Sequence, residues 1–446
     1  LREVFGKSLV NEMSDDQKHP LEGFVGSHAD LADLPPPDGR AAEHTVGVGY
    51  YAPWEDPFDG FAEHSRRNAL ALATTGVPVQ LRSINPGGQL PFDGAGNFVL
   101  SKARRRVAKR MESLLLTTVT QYGVQVYQLV GRAADFQNVV THGQMDPEAL
   151  RTINRYTVIY TVFERGKVSE HFVDPLKRAG QVWVACQQNA EVLVAAGLSP
   201  GHVRIVPMPY FNDDPLLKLN ERKRLPGVPR FYHIGKWEPR KQHHRIIGAF
   251  MLAFKPGEAR MWIKTSSHAP KMGDYPRSPA ESVHRWLEED RILWNGWTVE
   301  NVNQSIYFIQ EAITEERIRE LHRLGDVYVT LSQGEGFDMP AFDAKLAGNL
   351  MVYTPSGGPR DFHGDRDVLV PEKGQVNAHP FYGWEKGATY LDYDLDDASK
   401  AMREAASSVR SGQRCRGTFL TSYQAKNVGQ RMRSNLEELL GGPLVA

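Results

Sequence analysis

The residues best suited to chemistry lie between Thr330 and Arg360, in TLSQGEGFDMPAFDAKLAGNLMVYTPSGGPR. An apolar run ends near Leu331, and Gly334 and Gly336 then flank Glu335. Asp338 falls where a helix N-cap belongs, Pro340 suits an early helical position, and Gly348 suits the residue just past a helix end. A helix start offers unpaired N–H groups and partial positive charge, which suits a phosphate. Gly336 allows a ligand to approach the backbone closely. Glu335 and Asp343 stand eight residues apart across that helix start. As carboxylates they can accept paired hydrogen bonds from the vicinal hydroxyls of a ribose or a hexose.

A second cluster is FYHIGKWEPRKQHHRIIGAF, residues 231–250. Gly235 ends a β-rich run, and Lys236, Arg240 and Lys241 follow ahead of a helical pattern. Cations at a helix start oppose its dipole, so a bound anion would account for them. Beside a departing diphosphate, fixed cations stabilise the transition state more than the ground state. The alternative is three solvated cations near a helix start.

Positioning these groups requires a frame, and the pattern along the chain supplies one. Strands are expected at Thr45–Tyr51, Val77–Ser83, Val124–Val130, Asn138–Thr141, Tyr156–Phe163, Val182–Cys186 and Val203–Pro207, with helices at Gly60–Thr75 and Asn189–Ala196. Pro207, Pro209 and Pro215 then break both periodicities. The alternation restarts with strands at Phe231–Ile234, Met261–Thr265, Ser305–Gln310, Val327–Leu331 and Leu350–Thr354, and helices at Gln242–Phe254, Glu315–Leu324 and Pro340–Leu346. His268–Pro279, with its prolines, reads as a loop, and Thr418–Leu440 as a closing helix. Strand–helix alternation with short links implies parallel sheets covered on both faces. The expected fold is therefore α/β, two Rossmann-like domains facing across a cleft that would hold the ligand. The divisions are an N-terminal extension over 1–43, a first domain over 44–212, a second over 213–417, and a C-terminal helix over 418–446 that could cross back to the first domain.

The totals agree with this frame. A chain of 446 residues is too long for one core. Lys+Arg and Asp+Glu both total 53, so overall charge names no partner. With only Cys186 and Cys415, a disulfide framework or cysteine-based zinc site is excluded. No apolar run approaches the roughly 20 residues needed to span a bilayer, and no signal-peptide pattern opens the chain. A soluble, cytoplasmic protein is the expectation.

The two clusters resemble the GT-B glycosyltransferases, specifically the retaining group called glycosyltransferase family 4. That family carries a Glu-x7-Glu motif within a sequence like E-G-F-G-L-P-x-x-E-A-x-A-x-G-x-P, and here the stretch from Glu335 reads E-G-F-D-M-P-A-F-D-A-K-L-A-G-N-L. The family's G-R with a later Lys is matched by Gly235-Lys236 followed by Lys241. ITEERIRELHRLGDVYVTLS looks like the family's approach to the motif, and the similarity runs from about residue 156 to 440. Asp343 replaces the second Glu, Lys236 the usual Arg, and Gln242 and Asp338 stand where glycines are common. The resemblance implies transfer of a sugar from a nucleoside-diphosphate donor, with UDP and GDP both suitable, to an acceptor the sequence does not name. It implies retention of configuration, no metal ion and no cofactor beyond the donor. Glu335 would contact the donor sugar, Asp343 the ribose, Lys236 and Lys241 the diphosphate, and the backbone at Phe337, Asp338 and Met339 would complete the phosphate site; Arg240 and Gly336 are further donor-binding candidates from the residue pattern itself.

Other candidates are weaker. His142, after the run Asn138–Thr141, stands where family members often carry a histidine that touches the donor sugar; a solvated loop histidine is the alternative. Gly60 opens a helix and could admit phosphate or acceptor, and Glu164-Arg165 could face the cleft or form a surface ion pair. Lys102, Arg104, Arg105, Arg106, Lys109 and Arg110 form a basic segment over 102–110 that could meet an anionic membrane surface or a nucleic acid, or be a solvated helix face. Three rival functions stand beside the main one. Gly47-Val48-Gly49-Tyr50-Tyr51-Ala52 matches the G-x-G-x-x-A of nicotinamide enzymes, but its glycines fall inside an expected strand and Pro53-Trp54 stand where a helix should open. A GT-B enzyme acting on modified DNA bases would share the donor site but show steep salt dependence. A non-catalytic nucleotide-sugar-binding homologue would keep the fold alone.

Overall fold

The computed structural model describes residues 43–55, 60–84, 109–130, 153–168, 170–221, 226–265, 274–311, 313–378, 388–412 and 417–444. His142, the strand expected at 138–141, residues 1–42 and the basic residues 102–106 lie outside these. Among the described residues, 43–212 with 420–444 form one compact unit, and 213–378 with 389–419 the other.

The first unit runs β1 (Glu43–Ala52), α1 (Gly60–Ala73), β2 (Val79–Ser83), α2 (Glu112–Leu116), β3 (Thr118–Val130), β4 (Thr157–Val162), α3 (Glu170–Leu176), β5 (Gln181–Val184), α4 (Gln187–Ala195) and β6 (Val203–Ile205). Its strands lie in the order β2-β1-β3-β4-β5-β6, all parallel. Central strands such as TVIYTV and QVWV are nearly continuously buried, as a sheet covered on both faces requires. β3 begins at Thr118, six residues before the expected start, because its pairing with β1 extends past Gly123 through a register shift at Gly47/Val48.

The second unit runs β7 (Arg230–Ile234), α5 (His243–Ala253), β8 (Arg260–Lys264), α6 (Pro279–Leu287), α7 (Asp290–Trp294), β9 (Ile306–Ile309), α8 (Glu315–Leu324), β10 (Val327–Thr330), α9 (Met339–Leu346), β11 (Leu350–Tyr353), α10 (Pro359–Phe362), β12 (Val368–Leu369), β13 (Glu372–Asn377), β14 (Thr389–Tyr393) and α11 (Leu395–Arg410). Six parallel strands are ordered β12-β11-β10-β7-β8-β9. The core packs Phe231, Ile246, Phe250, Trp297, Val329 and Val352 with Met402 of α11. Each such side chain contributes about 1.5–3 kcal/mol on burial. The antiparallel pair β13–β14 has no counterpart in the sequence reading, since every β13 residue is exposed and its period carries no apolar signal.

The closing segment departs from one continuous helix. A 3-10 stretch, Gly417–Tyr423, precedes α12 (Ala425–Leu440). α12 belongs to the first unit and packs on α1 so closely that a Cβ on Gly429 would lie 2.1 Å from the Ala71 carbonyl oxygen. The Arg433 guanidinium donates to Thr75 O at 2.9 Å, and the Gln181 amide donates to Asn435 O at 2.9 Å.

Candidate functional site

The strand order of the second unit creates the site. β7 and β10 are neighbours, with Phe231 beside Val327 and Tyr232 beside Tyr328. From β7 the chain moves through β8 to β9 on one side, and from β10 through β11 to β12 on the other. The carboxyl ends of β7 and β10 therefore flank a topological switch point, where open α/β sheets leave a crevice for ligands. The two sequence clusters are the segments that leave these ends.

After β7, Gly235 turns the chain and a 3-10 turn, Pro239–Lys241, leads into α5. After β10, the loop 331–338 leads into α9. Gln333 N–H donates to Arg240 O at 2.8 Å, and the Ser332 hydroxyl donates to the same oxygen at 3.1 Å. Lys241 Nζ lies 2.5 Å from Glu335 Oε1, and Arg240 Nη1 lies 3.3 Å from that oxygen. Arg240 also donates to Gly334 O at 3.0 Å and faces Glu238 at 3.4 Å. Glu335 is 5% exposed and Lys241 9%, so these charges are held largely out of water.

Backbone packing fixes the glutamate. Its N–H donates to Ser356 Oγ at 3.1 Å. A Cβ on Gly357, where φ is +65°, would lie 2.4 Å from Glu335 O, and one on Gly358 2.1 Å from Phe337 O. The Gly357-Gly358 turn thus serves as a floor that only glycine can provide at this distance. Phe337, Phe342 and Phe362 pack ring against ring behind the loop, with centroids 5.2–5.4 Å apart.

Asp338 holds the N-cap position of α9, but not in the expected way. Its φ is 64° and ψ 69°, and its side chain makes no cap hydrogen bond. An N-cap normally has extended backbone and a side chain accepting from the helix. Instead, Thr330 Oγ1 at the end of β10 donates to Asp338 Oδ2 at 2.6 Å. Gln242 is left-handed too, at φ 56°, so α5 starts one residue later than expected, at His243. These two are the positive-φ non-glycine residues among the described residues. Asp343 lies on α9, 8% exposed. Gly336 and Phe337 are buried in the loop, and Met339 and Pro340 open the helix half-buried. Lys236 is exposed, with no ion pair among the described residues.

Electrostatics follow from this packing. Burial alone would raise the Glu335 pKa, but Lys241 and then Arg240 outweigh it and hold the carboxyl below its ordinary value. Burial would lower the Lys241 pKa, and Glu335 followed by Asp338 outweigh that and raise it. For Asp338 burial comes first and the Glu335 charge second, and both push its pKa up. Burial depresses His233 to about 4 and His243 well below its ordinary value. Both imidazoles are neutral, with His233 Nδ1 donating to Val329 O at 2.7 Å and His243 Nε2 facing Gly235 O at 3.3 Å. His243 faces the turn that carries Lys236, and His233 ties β7 to β10.

The candidates in the first unit fare differently. Gly60 opens α1, half-buried, at the carboxyl-end side of β1. Arg165 is 1% exposed, and its guanidinium lies 5.4 Å from the Phe172 ring centre. Arg110 of the basic segment pairs with Glu63 at 3.2 Å, and Arg66 and Arg67 hold the same carboxylate. Both glycines of the G-x-G match lie inside β1, which removes the nicotinamide reading's turn. Sequence reasoning missed Thr330, Ser356 and His233. Ser356 and Thr330 fall inside the motif stretch, but their partners are set by strand order. Among the described residues no three of His, Cys, Asp and Glu group to hold a metal ion, and no helix is long and apolar enough to cross a membrane.

No protein-family model and no curated protein matches the sequence. Solved structures are similar in fold. Anabaena Alr3699/HepE in complex with UDP and glucose superposes with a TM-score of 0.50 at 13% identity, over 89% of this chain and 100% of that one. Trehalose-6-phosphate synthase OtsA gives 0.51 at 10% identity, over 89% and 99%. An E. coli trehalose-6-phosphate structure bound with UDP-2-fluoro glucose gives 0.51 at 9% identity, over 88% and 99%. The chain has the GT-B glycosyltransferase fold.

Proposed function

We propose that this protein is a glycosyltransferase whose second unit binds a nucleoside-diphosphate sugar at the β7–β10 switch point. The observation that carries this reading is the buried cluster of Lys241 and Arg240 around Glu335, 2.5 and 3.3 Å from one carboxylate oxygen, beside the amino end of α9. In the free protein both cations are held by this one carboxylate, which leaves the cluster with an excess of positive charge. With the donor bound, the diphosphate takes over the two cations, and Glu335 is released to accept hydrogen bonds from the sugar hydroxyls. Asp343 is assigned to the ribose and Lys236, exposed at the rim, to the phosphates. As the glycosidic bond breaks, charge grows on the leaving diphosphate, and Lys241 and Arg240 stabilise it there. Transfer proceeds with retention, without a metal ion, to an acceptor still to be identified.

Uridine nucleotides are the first donors to try, because the fold neighbours hold UDP and a UDP sugar. The test is a thermal-shift panel of UDP, GDP and ADP, their sugar conjugates and NAD, without added metal, on wild type and Lys241→Met. One nucleoside-diphosphate family should raise the melting temperature of wild type, in proportion to RT ln(1 + [L]/Kd), and raise that of the variant much less. A response to NAD alone, or silence throughout, would overturn the reading.

A further inference from the structure

Asp338 is the group at this site that the assigned roles leave unexplained, and any part it plays rests on the proposed donor site. It occupies the N-cap of an eight-residue helix in a left-handed conformation, which costs a non-glycine residue about 1–2 kcal/mol. Thr330 Oγ1 donates to one carboxylate oxygen, Oδ2, at 2.6 Å, and the Ala341 N–H in the first turn of α9 acts on the same carboxylate. Asp338 is 5% exposed, and its Oδ1 is buried without a hydrogen-bond partner of ordinary geometry, although the Ala341 N–H helps hold its charge. A buried carboxylate oxygen in this state calls for an explanation.

The amino end of α9, Lys241 and Arg240 are where the donor's diphosphate is assigned. An ionised carboxylate there repels a diphosphate. The same group in its acid form presents an O–H that a phosphate oxygen accepts. We propose that Asp338 binds the donor in its acid form, donating to the diphosphate at the amino end of α9, so that each nucleotide sugar bound at neutral pH takes up one proton from solvent.

The surroundings isolate this proton. From the loop after β10, Glu335 faces Asp338 and is held ionised by its cations; from the turn after β7, Lys241 is held charged by the two carboxylates. From β10, burial pushes the Tyr328 phenol far above neutrality. His233 of β7, depressed to about 4, is neutral throughout. Arg240 keeps its charge at any relevant pH, and on α9 itself Lys345 is paired with Asp367. Asp338, raised to about 6 in the free protein, is the facing group whose charge changes between pH 6 and 8. A bound diphosphate raises it further, as a neighbouring like charge does.

The experiment is calorimetric titration of the full chain with UDP-glucose, or GDP-mannose if the panel selects guanosine. Wild type, Asp338→Asn and Thr330→Val are each measured from pH 6 to 8.5 in buffers of different ionisation enthalpy. A nucleotide sugar lacks the terminal phosphate group that ionises near about 6, so the ligand contributes no slope. Wild type should take up close to one proton and lose affinity by up to about tenfold per pH unit. Asp338→Asn should bind with a flat profile and no uptake. Thr330→Val removes the hydroxyl that favours the ionised form, so its decline should begin at higher pH. An Asp338→Asn variant that keeps the wild-type slope, or a wild type that binds without proton uptake, overturns the proposal and leaves the donor site standing. Absence of binding by wild type at every pH removes the donor site, and this proposal with it.

Discussion

Replacing Lys241 by Met and Glu335 by Gln, singly and together, tests the arrangement at its centre. Unit charges 4 Å apart attract by about 4 kcal/mol at an effective dielectric of about 20, and here nitrogen and oxygen are 2.5 Å apart. Desolvation of two groups that are 9% and 5% exposed offsets much of that gain. The larger effect is therefore the charge left behind when one partner is removed, about 3–5 kcal/mol for a buried pair. Lys241→Met leaves Glu335 with Arg240 at 3.3 Å, which places the loss at the lower end, about 3 kcal/mol. Glu335→Gln leaves two cations, but Glu238 faces Arg240 at 3.4 Å and Asp338 acts on Lys241, so about 2 kcal/mol is expected. The double variant strands neither charge and should cost little more than the worse single one, a coupling of about 2 kcal/mol. Urea unfolding of the four proteins measures it. The pH dependence has a definite sign. The depressed pKa of Glu335 contributes stability above its unfolded value of about 4.3, lost as pH falls through the folded value. In Lys241→Met that depression is weakened, so the deficit against wild type should hold from pH 8 to pH 5 and narrow only as pH falls below about 4.3. Single effects that add within about 0.5 kcal/mol, or a deficit independent of pH, would refute the reasoning.

Other consequences are equally direct. Gln242→Ala should be less stable than Gln242→Gly by about 1 kcal/mol, because φ is 56° there and alanine bears the left-handed penalty without the amide's bonds to Pro239 O and Gln333 Oε1; paired urea melts decide it. Gly358→Ala should lose about 1–3 kcal/mol and most nucleotide affinity, since its methyl meets Phe337 O at 2.1 Å; near-normal binding would show that the floor under the loop is dispensable. Lys345→Met should cost about 3–5 kcal/mol, because Lys345 and Asp367 are 2.6 Å apart with side chains 0% exposed; calorimetric unfolding measures this. Asp338→Asn should stabilise the protein at pH 8 and lose that advantage by pH 4. A raised carboxylate pKa contributes stability below its unfolded value that disappears as pH rises through about 6. Melting temperatures across that range report the crossover.

Much of this protein is local, and the local part is legible in the chain. The helix expected at Glu315–Leu324 has those bounds, since Thr314 caps it and acids fill its first turn. The glycines of Gly47-Val48-Gly49 read as strand residues and are strand residues, because alternation across residues 45–51 needs no distant partner. Glu335 and Lys241 stand out by residue type and spacing within their own loops. What brings their side chains to 2.5 Å is the pairing of β7 with β10, a contact between segments some 96 residues apart. Periodicity assigns a strand to a sheet but not a place in its order. The same limit applies to Asp338, whose position within the chain marks an N-cap while its backbone adopts the left-handed conformation with Thr330 as partner. Gly357 and Gly358 read as an ordinary turn, and their need to be glycine arises from carbonyl oxygens of another loop, 2.4 and 2.1 Å from where a side chain would start. Residue types and their short-range spacing determined which groups could act. Strand order and backbone contact, which depend on the whole folded sheet, decided which of them meet.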